Sequence, residues 1–422
     1  MFYTQHIDGC FSEKITKPIN KTNYEASLNQ LKSAHTQLKN GSNTLAQPLL
    51  DIVTATDDLK VMNELAEDIR KNFSHVVMVG AGGSGLSGKV FSGLKPAVNP
   101  TLHFLENIDP DAIDDMLARI DLPNTLFIVT SKSGTTAETL GHFYILLEAT
   151  RQTIGNDVGA HFLVVTMPGD NPLRQSANEH GICVLDHPTD IGGRFSVFTY
   201  QGLLPAAIAG IDIAKIRGGA ATIIEELKNT PHDEYAPAIG AALQYAFMEQ
   251  GYPLSVMLPY AQRLRGLSAW YRQSWAESLG KDGKGTTPLR AVGSTDQHSQ
   301  LQLYLDGPKD KFFNVITTKR AGTGQPFDVP DREDISYLSG KTAGDIMAAE
   351  QKATIETLMN NGCPVRLLTL DTLNEESIGA LFMHFFLEII FMSELLGVNA
   401  FDQPAVEESK QAARDYLQTG NL

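Results

Sequence analysis

The stretch Thr130-Ser-Lys-Ser-Gly-Thr-Thr-Ala-Glu-Thr139 puts six hydroxyl side chains and one lysine into ten residues, between the apolar run Leu126–Val129 and a helical pattern. Thr135-x-x-Glu138 reads as a capping box, which starts a helix near Thr136. Capping leaves Ser131, Lys132, Ser133 and Thr136 unexplained as a group. Hydroxyls and free backbone N–H groups at a helix N-terminus form a phosphate site, and Lys132 adds a full charge. One strand-helix unit earlier lies a second loop, Gly80-Ala-Gly-Gly-Ser-Gly-Leu-Ser-Gly-Lys89. Its Gly83 and Ser84 are expected at the same C-terminal edge of a sheet, where open α/β folds bind ligands. Gly80, Gly82 and Gly85 also satisfy the dinucleotide pattern GxGxxG, with Glu106 near the required spacing. Gly83 to Lys89 satisfies GxxxxGK, but Val90 stands where a P-loop needs Ser or Thr. A third reading is a tight turn that needs glycine for backbone reasons alone.

Three further clusters can do chemistry. In Asp190-Ile-Gly-Gly-Arg-Phe-Ser196 the glycines let backbone approach a ligand while Arg194 reaches a developing negative charge; the plain alternative is a glycine turn with a surface arginine. In Gln273-Ser-Trp-Ala-Glu-Ser-Leu-Gly280, Gln273 and Glu277 are four apart and share one helix face. A carboxylate in the last turn sits at the negative end of the helix dipole, which favours its protonated form and suits a general base. The competing reading pairs an exposed Glu277 with Lys281. In Val292-Gly-Ser-Thr-Asp-Gln-His298, Ser294, Thr295 or Asp296 can cap a helix and place His298 in its first turn, where the dipole favours neutral imidazole. Pattern alone does not separate His298 from the other ten histidines. None shows metal-ligand spacing.

The elements that must position these residues alternate between short apolar runs and helical stretches. Strands are expected at 75–79, 102–105, 126–130 and 162–166, with helices at 86–94, 110–119 and 137–151. A second round has strands at 254–258, 313–316 and 365–370. Buried strands alternating with helices predict parallel sheets in an α/β fold. The expected organisation is a mostly helical segment over 1–70, a first α/β lobe over 71–210 carrying the phosphate loops, a second over 211–396, and a helical tail over 397–422. The apolar stretch Ile378–Leu396 carries His384, Glu388 and Glu394, so it reads as a buried helix rather than a membrane span.

The chain has 422 residues and a formal net charge of -15. That balance argues against polyanionic partners such as nucleic acid or a membrane surface, although an anionic small molecule can still bind at a local basic patch. Cys10, Cys183 and Cys363 form no disulfide framework, which suits a reducing compartment. The first residues show no signal-peptide pattern, and a cytoplasmic location is expected.

Taken together, Gly82-Gly-Ser84, Ser131-Lys-Ser-Gly-Thr-Thr136, Gly192-Gly-Arg-Phe-Ser196, Glu277-Ser-Leu-Gly-Lys281, Asp296-Gln-His298 and Phe401-Asp-Gln-x6-Lys410 resemble the phosphoglucose isomerase family. They run in family order from about residue 75 to 410. The resemblance implies a fold of two sugar-isomerase (SIS-type) doubly wound lobes with a C-terminal tail. It implies aldose–ketose isomerisation between glucose 6-phosphate and fructose 6-phosphate through a cis-enediolate, with no metal or organic cofactor. Ser84, Ser131, Lys132, Ser133 and Thr136 would hold the phosphate. Glu277 would move the proton between C2 and C1, and Arg194 would stabilise the intermediate. His298 and Lys410 would assist ring opening, while Gln273 and Gln403 position the sugar. It further implies a homodimer in which His298 is donated across the interface. Two features depart from many relatives: Ser133 replaces threonine and keeps the hydroxyl, whereas Leu279 replaces an asparagine common in eukaryotic members. The rivals are a nicotinamide-dependent dehydrogenase using Gly80–Gly85, a non-catalytic sugar-phosphate-binding SIS module, and an aminating relative. The last would need an N-terminal cysteine nucleophile, and Cys10 lies too far inside.

Overall fold

A computed structural model describes residues 2–96 and 99–420, apart from the side chains of Ser84 and Ser92. The chain opens with a strand, β1 (Tyr3–His6), and three helices, α1 (Lys21–Lys39), α2 (Gln47–Thr54) and α3 (Asp57–Asn72). The first lobe follows as β2 (His75–Val79), α4 (Gly83–Ser92), β3 (Thr101–Leu105), α5 (Pro110–Arg119), β4 (Thr125–Thr130), α6 (Ala137–Ile154), β5 (Phe162–Thr166), α7 (Pro172–Glu179) and β6 (Cys183–Asp186). A 3-10 turn over Gly193–Phe198 leads into α8 (Tyr200–Ile208), α9 (Ile213–Asn229) and α10 (Ala236–Glu249). The second lobe is β7 (Leu254–Pro259), α11 (Arg265–Leu279), β8 (Thr287–Arg290), α12 (Gln297–Asp306), β9 (Lys311–Thr318), α13 (Ala343–Asn360), β10 (Val365–Leu370) and α14 (Glu375–Leu396), before the final α15 (Glu407–Thr419).

The sheets have strand orders β3-β2-β4-β5-β6 and β8-β7-β9-β10-β1. All pairings are parallel except that of β1 with β10. In each lobe the chain steps one way from its first parallel strand and then returns to the other side. Each order therefore has a switch point, at β2/β4 and at β7/β9, where consecutive crossovers diverge and open a crevice.

The strands are apolar on both faces because both faces are covered. Val76 and Met78 join one large core, with Met257 and Ile316 of the second sheet and the helices between the sheets. Val77 and Val79, on the opposite pleat, pack with Phe143 and Leu146 in a separate outer cluster. Val256, Val315, Tyr304 and Leu358 form the equivalent cluster outside the second sheet. The two lobes are thus joined by a common interior. At its centre lies α14, apolar all round and 89% buried over its most apolar window, which is the environment such a helix requires. Gly397 ends it in the left-handed conformation at φ 67°.

The first residues differ from the helix-and-loop expectation, since β1 supplies the antiparallel edge of the second sheet. Its anchor is a buried polar network. Tyr3 Oη contacts His384 Nδ1 at 2.5 Å, and Gln5 Oε1 accepts from Arg366 Nε at 2.8 Å. Arg366 also makes paired 2.7 Å hydrogen bonds to Glu388, with both side chains fully buried. Burial alone would raise the Glu388 pKa, but Arg366 beside it and the hydrogen bond from His384 hold it at about 2. The short strands β6 and β8, absent from the sequence expectation, complete the two sheets.

Candidate active site

The two polar loops meet where the first sheet switches direction. The β2–α4 and β4–α6 connections line one cleft of about 340 Å³, small for a ligand pocket. Its far wall comes from α11, the turn at Gly193–Phe198 and the segment leading into α15. Of the expected site residues, the cleft gathers Gly83, Ser131, Lys132, Ser133, Thr136, Arg194, Gln273, Glu277, Gln403 and Lys410. The Ser84 side chain lies outside the described residues.

The β4–α6 loop takes a different hydrogen-bonding pattern from the expected one. Its helix begins after Thr136, but no side chain caps it and the Thr135–Glu138 box does not form. The hydroxyls instead pair with each other: Ser131 with Thr136 at 3.2 Å, and Ser133 with Thr135 at 2.9 Å. The loop's path is set from outside. Gly134 has φ 66°, and a Cβ there would fall 1.8 Å from Asn171 Oδ1, the atom that caps α7. Across this turn the first amides of α6 remain without a side-chain acceptor. Lys132 sits among these groups, half-buried, and its ammonium makes no hydrogen bond or ion pair among the described residues. Burial lowers its pKa, Asp190 opposes that, and the nearby Arg194 charge adds to it. A partly desolvated cation beside hydroxyls and free amides is a receptor for an anion.

The glycines of the β2–α4 loop serve protein packing. Gly82 has φ 61°, and a Cβ there would meet Gln273 Nε2 at 2.7 Å; one on Gly83 would meet the Gly193 carbonyl at 2.4 Å. Side chain and backbone of the other wall therefore occupy the space that a pyrophosphate needs. Glu106, the expected ribose ligand of the dinucleotide reading, is paired with Lys89 and packs against Gly85. The dehydrogenase alternative fails on both counts.

Glu277 faces the cleft from the last turn of α11. Gln273 Nε2 donates to its Oε1 at 2.8 Å, and Arg194 lies 3.6 Å from its Oε2. Lys281, the partner in the plain reading, turns instead to Asp402 at 3.1 Å and to the Asn399 carbonyl. Arg194 is no surface residue, being 4% exposed. Its Nε donates to Ser278 Oγ and its Nη1 to Gln403 Oε1, both at 2.8 Å. Its Nη2 donates to the Ala400 and Asp402 carbonyls. A guanidinium has five N–H donors, so one Nη1 hydrogen remains, on the side of Glu277. Arg194 thus ties the C-terminal segment across the cleft and keeps its charge beside the carboxylate.

Just before this turn, His187 is buried and its Nε2–H donates to the Ile191 carbonyl at 3.1 Å. Burial brings its pKa down to about 4, so it braces the Gly192 turn as a neutral ring. Lys410 reaches the cleft from α15 while paired to Glu407 at 2.7 Å on an exposed surface. His298 lies in the first turn of α12, as expected, but it is exposed and does not line the cleft of its own chain.

Sequence reasoning did not single out Thr139, Met167, Ser278 or the Ala400 and Asp402 carbonyls. Ser278 lies inside a stretch already marked, but nothing in its pattern shows that it would orient Arg194. A backbone carbonyl carries no residue-type signal at all.

Comparisons with known proteins converge on one family. The family profile described as phosphoglucose isomerase matches residues 33–316. A glucose-6-phosphate isomerase of Rubrobacter xylanophilus is 39% identical, covering 84% of this chain and 85% of the relative. A probable glucose-6-phosphate isomerase of Haloarcula marismortui is 38% identical, covering 92% and 88%. Among solved structures, a hypothetical protein of Thermus thermophilus superposes with a TM-score of 0.87 at 30% identity, covering 98% of this chain and 99% of that one. The fold is also that of a glucose-6-phosphate isomerase of Chlamydia trachomatis, with a TM-score of 0.82 at 23% identity over 98% of this chain and 92% of that one.

Proposed function

The chain belongs to the phosphoglucose isomerase family, and from that premise we propose that its cleft interconverts glucose 6-phosphate and fructose 6-phosphate by general acid–base catalysis. One observation carries the assignment of roles. A half-buried ammonium, unpaired among the described residues and set among hydroxyls, lines the same small cleft as a carboxylate flanked by an amide and a guanidinium.

In this reading the phosphate sits on Lys132, the hydroxyls of Ser84, Ser131, Ser133 and Thr136, and the first amides of α6. The hydroxyl pairs exchange partners readily because each can rotate to donate to a phosphate oxygen. Anchoring the terminal phosphate lets remote binding energy orient the reacting carbons. Glu277 takes the proton from C2 of the open-chain aldose and returns it to C1. Gln273 fixes the carboxylate's orientation. The remaining Arg194 N–H and its charge stabilise the enediolate oxygens. Lys410 leaves its weak surface pair with Glu407 to meet the ring oxygen, and Gln403 holds the sugar hydroxyls. His298 completes the site from a second copy of the chain, because its own cleft does not contain it. No step calls for a metal or an organic cofactor.

A coupled assay of fructose 6-phosphate conversion to glucose 6-phosphate, with and without EDTA, tests the reading. Turnover unaffected by EDTA is expected. Absent turnover, in a protein that still binds sugar phosphates, would favour the non-catalytic binding module.

A further inference from the structure

We propose that the chain carries a second anion site, distinct from the catalytic cleft, that takes a compact ligand bearing two phosphate groups. Helices α4 and α11 pack together with Val90 against Gly266. At one end of this pair, Gly83 and Glu277 line the catalytic cleft. A cavity of about 570 Å³ lies along the same helix pair, from Arg263 before α11 to Arg272, and shares no lining residue with the catalytic cleft.

Arg263, Arg265, Arg272 and Arg290 line that cavity. All are exposed, and none of their guanidiniums makes a hydrogen bond or ion pair among the described residues. Arg265 and Arg272 are seven residues apart, so they project from one face of α11. Arg263 comes from the turn before the helix and Arg290 from the end of β8. The carboxylate in the wall, Glu106, is already neutralised by Lys89. Gln262, Arg265 and Arg290 continue into an adjoining cavity of about 380 Å³, whose carboxylate, Asp296, accepts from the Val292 amide at 2.6 Å.

The clustering is not what the chain's charge leads one to expect. Its net charge is -15, and its other arginines, apart from Arg414, are held by carboxylates, carbonyls or other acceptors within the fold. Converging guanidiniums repel each other unless a counter-charge lies between them. Their planar forks match phosphate oxygens in pairs, and two phosphate groups supply about the charge that four arginines lack. The cavity suits a small molecule and is too confined for a duplex or a bilayer.

Titration calorimetry with pyrophosphate, at about 0.1 M salt to screen weak surface association, tests the site. Lys132→Ala removes the catalytic phosphate contact, so the titration is run on that variant as well as on the wild type. One pyrophosphate per chain is expected in both, bound at least about tenfold more tightly than orthophosphate. Arg265→Ala/Arg290→Ala should weaken it by about tenfold or more while leaving isomerase turnover unchanged. Arg272→Glu serves the same purpose should the double variant not fold. Binding that Lys132→Ala abolishes would assign pyrophosphate to the catalytic cleft and overturn the proposal. So would unaltered affinity in the arginine variants, or no binding to the wild type because another copy of the chain covers the cavity.

Discussion

At the scale of the residue, the site depends on two groups whose surroundings do opposite things. Lys132 is a cation that makes no ion pair among the described residues, and its partner is expected to be the substrate. Lys132→Ala should raise KM for both sugar phosphates roughly 10- to 100-fold, as loss of one charge-assisted contact would, with a smaller change in kcat; steady-state kinetics decide. Because burial lowers its pKa, the charged form is lost earlier than for a free lysine. Phosphate affinity should be full below that lowered pKa and fall as pH rises through it. Lys132→Arg should move this alkaline limb of the KM profile to higher pH. Glu277, by contrast, is held by Gln273 and Arg194 without being buried beneath them. Glu277→Gln keeps an acceptor for Gln273 and removes the base. It should lower kcat by about 10²-fold or more while binding of 6-phosphogluconate persists. Turnover near the wild-type rate would remove Glu277 as the proton carrier.

At the scale of the element, the cleft is built from loops that rigid strands present and distant segments restrain. The β4–α6 loop shows how. Residue types call for a capping box at Thr135, yet Asn171 of the neighbouring unit pushes Gly134 into a left-handed turn and the hydroxyls pair with one another. The segment after α14 is held similarly, by Arg194 on its carbonyls and by Lys281 and Lys284 on Asp402 and the Leu396 carbonyl. The edge strand β1 depends on the buried Arg366–Glu388 pair. Arg366→Met should leave Glu388 buried without its counter-charge and destabilise the protein by about 3–5 kcal/mol, measurable by denaturant unfolding. Double replacement of Arg366 and Glu388 by apolar residues of similar volume should recover much of that loss, because the uncompensated charge is then gone.

At the scale of the whole molecule, the proposed reaction asks for a histidine that the chain's own cleft does not gather. His298 is exposed on α12 and absent from its own cleft. If a second copy supplies it, two inactive variants should complement. Unfolding and refolding a mixture of Glu277→Gln and His298→Ala chains would form hybrids in which one site has both an intact Glu277 and an intact His298. Activity above that of either variant alone is the expected result. No recovery, with hybrid formation verified by native mass spectrometry, would place His298 outside the reaction or within its own chain.

Much of this protein was legible in its residues. Strand runs such as Leu126–Thr130 are apolar on both faces, so their burial follows from composition. Gly397 ends its helix in the left-handed conformation that favours glycine. The Ser131–Thr136 stretch stood out because its hydroxyls and lysine exceed what a helix cap needs, and those side chains do line one cleft. Arg194 was not legible in this way. A glycine-flanked arginine reads most simply as a surface turn, and only the closing of residues 400–403 over it makes it a buried tie. The short strand β1 was hidden for the same reason, since its stability rests on Arg366 and Glu388 near the opposite end of the sequence. Sequence by itself determined most of the strands and helices and which residue types could offer a phosphate donors, because those depend on neighbours a few residues apart. Only the tertiary structure decided which donors are already spent, which charges stand unpaired and which histidine lies out of reach. Those outcomes depend on what distant segments bring within hydrogen-bonding distance.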